Sequence, residues 1–386
     1  GVSTAEAVQN MVNTLYSSFD ANKFVVGMFV DLAKAFDSLD RSKLIRKLEM
    51  YGLGNIAVKW FKSYFSQRKQ FVQYNNQASS LRSIDFGVVQ GSTLGPLLFI
   101  IYVNDIVNVS SVCKFVMYAD DMNVFVDSTC LSSCVNLANN ELGKICRWIS
   151  DNTLTLNIDK CEYVIFHRKR RKLPPCNLQI CIDGAPLERV ESSKFLGLII
   201  DKNVAWDVQV GSVVSKLSRY IHILYKIRRK LNLDTLRLLY NSIIYPNLTY
   251  CNTIWGSCVS CHLKPLFILQ KRIVRMISNK SRLEHTAPLF KSLNFLTLSQ
   301  INFYMNSSFV HRSLLRNNGF FTLSDSPYNT RGRENFLITL PDIRSSHSRT
   351  SALWVGCGVW NSLPVNLRCI ENIDVFKKKV KLFLLQ

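Results

Sequence analysis

Two acidic clusters, each set in an apolar run, constrain this 386-residue chain more than any other feature. Asp31 closes the run FVVGMFVDLAKAFD, and Asp120 and Asp121 stand side by side within KFVMYADDMNVFV. Runs rich in Val and Phe favour strands, so the first carboxylate is expected where a strand ends. The YADD stretch lies between two β-rich segments, Val112 to Met117 and Asn123 to Val126, which predicts a hairpin carrying the pair at its tip. A lone Asp after a strand is most often a cap or turn residue. An adjacent pair between apolar strands is harder to explain that way, because like charges repel and resist burial, and a bound cation removes the conflict. Three carboxylates so placed suit two divalent ions ~4 Å apart, the arrangement for in-line attack at phosphorus.

Five motifs then follow in order. FVDLAKAFDSLD, GVVQGSTLGPLLFIIYVNDI, YADD, LTLNIDKCEYVIF and KFLGLIID resemble the first to fifth catalytic motifs of the reverse transcriptases of non-LTR (LINE-type) retrotransposons. YADD alone recurs by chance, but five ordered motifs do not. The resemblance implies an RNA-directed DNA polymerase, a nucleotidyltransferase that takes an RNA template, a DNA primer and deoxynucleoside triphosphates and uses two Mg2+ ions, or Mn2+ in their place. Asp31 and Asp120 would bridge both ions, Asp121 would assist, and Leu32 would add its backbone carbonyl. Phe36 matches the aromatic that closes the sugar pocket against a 2′-hydroxyl; read without the family, it is a core residue. Gln90, Gly91 and Ser92 would position nucleotide and template, since glycine lets backbone approach a ligand and a helix N-terminus offers unpaired N–H groups. Lys160 would protonate or neutralise the pyrophosphate leaving group; its plainer reading is a solvated lysine. Lys194, Phe195, Leu196 and Gly197 would form the primer grip.

Periodicity predicts an α+β fold. Residues 24–31 read as a strand, Asp40 and Ser42 as caps of a helix through about Met50, and Asn55 as the cap of another through about Phe65. FVQYNN and LRSIDFGV suggest a hairpin before the helix of the second motif, and residues 131–150 a further helix. CIDGAPL carries an Asp-Gly hairpin turn. The resemblance makes this a right-hand polymerase palm, an antiparallel sheet with helices, over residues 24–203. Residues 1–23 would be a remnant of the fingers. SVVSKLSRYIHILYKIRRKL, DTLRLLYNSIIYPNL and KPLFILQKRIVRMIS have helical apolar spacing with basic residues between, and would form a helical thumb over 204–280. Residues 281–386 would be a small C-terminal extension, in which Arg331, Arg333, Arg344 and Arg349 are candidates to touch template RNA.

The net charge is +21, and it is unevenly spread: residues 1–160 hold 15 basic against 14 acidic side chains, residues 161–386 hold 33 against 13. The excess is more than solubility needs, and it fits a polyanion lying across the C-terminal half. HRKRRK at residues 167–172 reads equally as a nuclear signal or as an RNA or primer contact. Twelve cysteines with no secretory leader, and no apolar stretch near ~20 residues, argue for an intracellular protein, nuclear or cytoplasmic, away from membranes and not secreted. Cys251, Cys258, Cys261 and His262 depart from zinc-binding spacings. The chain opens at GVSTAEAVQNMVN, which resembles the segment just before the first catalytic motif, so the upstream fingers motifs and an endonuclease domain expected upstream are absent from it. It therefore reads as a fragment or decayed copy. Two alternatives accompany the polymerase: a catalytically silent nucleic-acid-binding remnant, and the maturase of a mobile intron.

Overall fold

The apolar run after residue 23 becomes strand β1, Phe24–Val30, and every residue in it is buried. In the computed structural model, which describes residues 3–174, 179–317, 319–323, 336–343 and 348–386, β1 is the middle strand of a five-stranded sheet. The others are β2 (Lys114–Tyr118), β3 (Asp121–Ser128), β4 (Glu162–Phe166) and β5 (Glu188–Arg189), in the order β5-β4-β1-β3-β2. β1 is antiparallel to β3 and β4, β2 is antiparallel to β3, and the edge pair of β4 and β5 is parallel. A strand buried on both faces reads as a continuous apolar run without alternation, which is how β1 reads.

Phe24, Val26, Met28 and Val30 on one face of β1 join a core with Val124 and Val126 of β3, Ile165 of β4, and Cys134, Ala138, Leu142 and Ile145 of the helix Leu131–Asp151. On the other face Phe29 meets Phe125 edge-on, with ring centroids 6.3 Å apart. Gly27 lies beneath Phe125 and Phe166, where a Cβ would stand 2.8 and 2.7 Å from the two rings. Only glycine fits there.

The Asp40 carboxylate accepts hydrogen bonds from the N–H groups of Ser42 and Lys43 and starts the helix Arg41–Met50 as expected. The next helix, Asn55–Phe65, differs slightly: Gly54 is its N-cap and Asn55 its first residue, with no side-chain cap. Gly is nearly as good as Asn there, since its backbone takes the cap conformation freely. The hairpin that follows has two short ladders, Lys69–Gln70 with Arg82–Ser83 and Gln73–Tyr74 with Gln77–Ala78, around an Asn75-Asn76 turn with positive φ at both residues. LGPLLFIIYV forms the helix Leu94–Val103.

The chain divides into two compact units, Lys23–Ser193 and Gly1–Asn22 with Lys194–Gln386. The first holds the five-stranded sheet. The second is largely helical. Its helix Asp207–Ile227 buries Val210, Val213, Leu217, Ile221 and Leu224 and leaves Arg219 and Lys226 exposed, the amphipathic pattern read from sequence. The helix Ser260–Ile277 buries Leu266, Ile273, Val274 and Ile277, with Lys264 and Arg272 exposed. Between them, residues 233–249 are not one regular helix: Leu233–Leu239 passes through a π-helical stretch, Tyr240–Ile244, into Tyr245–Thr249. Pro246 has no N–H to give to the preceding turn, so the ladder re-registers there. Tyr240 is held by stacking on Phe295 at 3.9 Å and by the Gln270 side-chain amide, which donates to its hydroxyl.

The N-terminal helix Thr4–Asp20 starts with a Ser3/Glu6 capping box and belongs to this second unit. The Trp206 indole donates to the Tyr16 hydroxyl at 3.2 Å, and Arg316 pairs with Glu6 at 2.9 Å. Nearer the C-terminus a separate apolar cluster gathers Val310, Phe321, Trp360, Phe376 and Val380, with His311 stacked on Phe376 at 4.2 Å. Arg331, Arg333 and Arg344 lie outside the described residues, and Arg349 sits over the Trp354 ring. Among the described residues no helix is long and apolar enough to cross a membrane, and the eleven cysteines are free thiols.

Candidate active site

Strand register sets the carboxylates side by side. Val30 pairs with Met122, so Asp31, the residue after β1, falls next to Asp121, the first residue of β3. Tyr118 pairs with Asp121 in the β2–β3 hairpin, which leaves Ala119 and Asp120 as its two-residue turn. Ala119 takes a φ of 53°, a left-handed conformation that costs a residue bearing a Cβ. Asp120 is thus at the tip and Asp121 one step into the ladder.

The three charges share one field. Asp121 is exposed as a residue, but partial desolvation of its carboxyl first, then the charges of Asp120 and Asp31, push that carboxyl above its usual range. A counter-charge stands close by, with Lys160 Nζ 3.7 Å from Asp31 Oδ2. The fourth motif also anchors the Asp31 backbone: the Asp31 carbonyl accepts from Asn157 N–H at 2.9 Å, and its N–H donates to Cys161 Sγ at 3.4 Å. Leu32–Ala33 pairs with Thr155–Leu156 alongside. Asn157 and Cys161 were not evident as site residues in the sequence, although both lie inside LTLNIDKCEYVIF.

Carboxylate and carbonyl oxygens are hard donors of the kind Mg2+ takes, and the repulsion at Asp121 is what a divalent cation relieves, so the residues present fit such an ion. Their side chains are not drawn into a closed ligand set: among the described residues no group of three or more His, Cys, Asp or Glu is placed to hold a metal ion. The same holds for Cys251, Cys258, Cys261 and His262. Burial pushes the Cys251 and Cys258 thiols up to about 12, which makes them small protonated core residues.

Phe36 is half-buried, its ring 4.8 Å from Phe99 of the helix Leu94–Val103. The second motif folds onto the first. Val88 N–H donates to the Phe36 carbonyl at 2.9 Å, and the exposed Gln90 donates its amide to Asp37 Oδ1 at 2.9 Å. Gly87 makes the approach possible, with a φ of 76° and a Cβ position only 2.7 Å from the Asp37 carbonyl oxygen. Gly91 is exposed with open space about it. The Ser92 hydroxyl is engaged within the turn, donating to the Val89 carbonyl at 2.6 Å and accepting from Gly95 N–H at 3.0 Å. Arg41, which sequence reasoning passed over, fastens this segment by donating to the carbonyls of Ile84, Phe86 and Gly87. A cavity of about 750 Å³ opens beside it, lined among others by Lys34, Asp37, Arg41, Lys69 and Gln90.

Lys194 and Phe195 end one strand of the hairpin Ser192–Phe195 and Leu198–Asp201. Leu196 and Gly197 make its turn, with φ of 46° and 84°. The Tyr250 hydroxyl donates to the Leu196 carbonyl and pins it. Of the basic run at residues 167–172, Arg171 is folded back over the Phe24 ring at 3.5 Å and donates to the Thr129 carbonyl at 2.6 Å, while Lys169, Arg170 and Lys172 are exposed.

The sequence profile of the family described as reverse transcriptase (RNA-dependent DNA polymerase) matches residues 4–200, just over half of the chain and all of the elements above that carry the carboxylates. The chain belongs to that family. Its relatives include the RNA-directed DNA polymerase from mobile element jockey of Drosophila funebris, 28% identical over 285 residues that cover 71% of this chain and 31% of that protein. The probable RNA-directed DNA polymerase from transposon X-element of Drosophila melanogaster is 26% identical over 327 residues, covering 82% of this chain and 35% of its own length. The chain spans about a third of the length of these relatives. The resemblance to non-LTR retrotransposon reverse transcriptases drawn from the five motifs is borne out. Among solved structures, telomerase from Candida albicans with a fragment of telomeric RNA aligns with a TM-score of 0.36 and 14% identity over 76% of this chain and 50% of that one, a likeness too slight to argue from.

Proposed function

We propose that this chain extends a DNA primer on an RNA template by two-metal nucleotidyl transfer, with Asp31, Asp120 and Asp121 as the carboxylates of the site. The observation that carries this reading is the register of β1 against β3, which brings Asp31 beside the YADD hairpin and loads the Asp121 carboxyl with its neighbours' charge. Asp31, Asp120, Asp121 and the Leu32 carbonyl would hold the Mg2+ or Mn2+ ions. When bound, such ions activate the primer hydroxyl and neutralise charge on the leaving pyrophosphate. Lys160, beside Asp31, adds a cation where that negative charge gathers. Phe36 flanks the nucleotide sugar with the part of its ring that Phe99 leaves uncovered. Gln90 and Gly91 face the nucleotide and template, with Ser92 holding their turn. Lys194, Phe195, Leu196 and Gly197 carry the primer strand. In this reading the sheet and its helices are the palm, the basic helices within 207–277 the thumb, residues 281–386 a C-terminal extension, and Thr4–Asp20 the end of the fingers.

Primer extension with deoxythymidine triphosphate on poly(rA) primed by oligo(dT), with Mg2+, tests the proposal. Extension by the chain, and its loss in Asp120→Asn with RNA binding retained, is the expected result. Equal activity in the variant would refute the assignment, and RNA binding without extension by the unaltered chain would favour the silent remnant.

A further inference from the structure

We propose that the hairpin at residues 69–83 is a binding arm for single-stranded nucleic acid, which stacks its bases on Phe71 and Tyr74. Every residue of this stretch is exposed, including large apolar ones: Phe71 53%, Val72 70%, Tyr74 75% and Leu81 64%. These side chains have no core to join, yet the backbone presenting them is ordered. Beyond the two ladders, Ser79 N–H donates to the Val72 carbonyl at 2.9 Å, Val72 N–H donates to Ser79 Oγ at 2.9 Å, and Ile84 N–H closes the base on the Arg68 carbonyl at 2.9 Å. Apolar groups held out into water on a fixed frame mark a contact surface.

The charge on the arm selects the partner. The hairpin itself carries Lys69 and Arg82, with Arg68 at its base, and no Asp or Glu between residues 68 and 84. A surface for another protein mixes both signs around an apolar centre, whereas aromatic rings set in one-signed basic charge suit a polyanion with exposed planar groups. Single strands offer both: phosphates for the cations, and unpaired base faces for the rings. A duplex offers only the phosphates, since its base faces are stacked inside. Val72, just before the strand Gln73–Tyr74 and bonded across to Ser79, is exposed together with Tyr74 and adds apolar surface beside it. The arm acts through binding alone and does not depend on the polymerase reading.

The test uses the full chain and a short fluorescein-labelled oligo(rU). The Phe71→Ala/Tyr74→Ala variant should bind it about 5-fold to 150-fold more weakly for each base stack removed, and bind a blunt RNA–DNA hybrid as the parent does. Because basic residues elsewhere also attract phosphate, a second reading comes from Tyr74→Trp, whose indole fluorescence should be quenched by oligo(rU) and not by the blunt hybrid, while Tyr74→Phe retains affinity. Unchanged oligo(rU) affinity in the double variant together with no quenching at Trp would overturn the proposal. A changed oligomeric state in sedimentation, with single-strand binding intact, would overturn it in favour of a docking face for a second copy.

Discussion

The ammonium of Lys160 lies 3.7 Å from Oδ2 of Asp31, and the two side chains are 70% and 37% exposed. An open pair of this kind adds at most ~1 kcal/mol to folding, so its place beside the carboxylates matters more than its strength. Lys160→Ala should leave the thermal midpoint nearly unchanged and slow single-turnover nucleotide incorporation by about 100-fold, the lower end of what a lost general acid costs. Lys160→Arg keeps the charge and gives up the transferable proton. Full activity in the arginine variant would assign Lys160 a purely electrostatic part, and full activity in the alanine variant would remove it from the mechanism.

Partial desolvation and the charges of Asp120 and Asp31 hold the carboxyl of the exposed Asp121 above its usual range, so the folded state keeps that proton to higher pH than the unfolded chain does, an effect that solvent keeps small. Stability then falls as pH rises through the interval between the two pKa values, because the folded state binds more protons there. Asp121→Asn should therefore melt at a higher temperature than the parent at neutral pH, and the gap should close at pH below the ordinary carboxylate range. Adding Mg2+ at neutral pH should raise the midpoint of the parent more than that of the variant. A variant less stable than the parent at neutral pH would contradict the shared field.

Phe36 rests on Phe99 at 4.8 Å but is only half-buried. Phe36→Ala should cost about half of the ~3–5 kcal/mol typical of a fully buried phenylalanine and leave the fold intact. If the remaining face borders the sugar, the variant should incorporate ribonucleotides more readily, measured as the ratio of kcat/KM for ribo- and deoxyribonucleotides. An unchanged ratio would return Phe36 to the core.

Exposed Arg219, Lys226, Arg229 and Lys230 project from the helix Asp207–Ile227 and the turn after it. Replacing two of them with Gln should flatten the slope of log affinity for an RNA–DNA hybrid against log salt by about one for each phosphate no longer neutralised. An unchanged slope would make these side chains solubilising only. Cutting the chain at residue 160 would be a poor way to ask the question, since it would part β4 from β1.

Much of the carboxylate-bearing unit could be read from local pattern. The continuous apolar run became β1, Asp40 capped its helix, and YADD turned at Ala119 and Asp120. What escaped was everything decided by distant partners. Arg41 looks like an ordinary helix-start arginine until residues 84–87 fold over it. Arg171 reads as part of a free basic run, but Phe24 lies beneath it. Gly54 displaced Asn55 as a cap because the backbone conformation, and not side-chain preference, settled the helix start. The amphipathic helices were visible through their periodicity, whereas the π-helical interruption at Tyr240–Ile244 depends on Pro246 and on the stack with Phe295, which sequence spacing does not reveal.

The pairing of Glu6 with Arg316, 310 positions along, and of Tyr16 with Trp206, 190 positions along, has a temporal consequence. During synthesis the helix Thr4–Asp20 is made before Lys23–Ser193 but meets these partners only after the whole of that unit has emerged. The carboxylate-bearing sheet can close while the ribosome is still adding the chain that will receive this helix. Apolar along one side through Val8, Met11, Leu15 and Phe19, the helix lacks the cover of Trp206 and Arg316 in the interval. Of the elements that build the second unit, it waits longest for its partners.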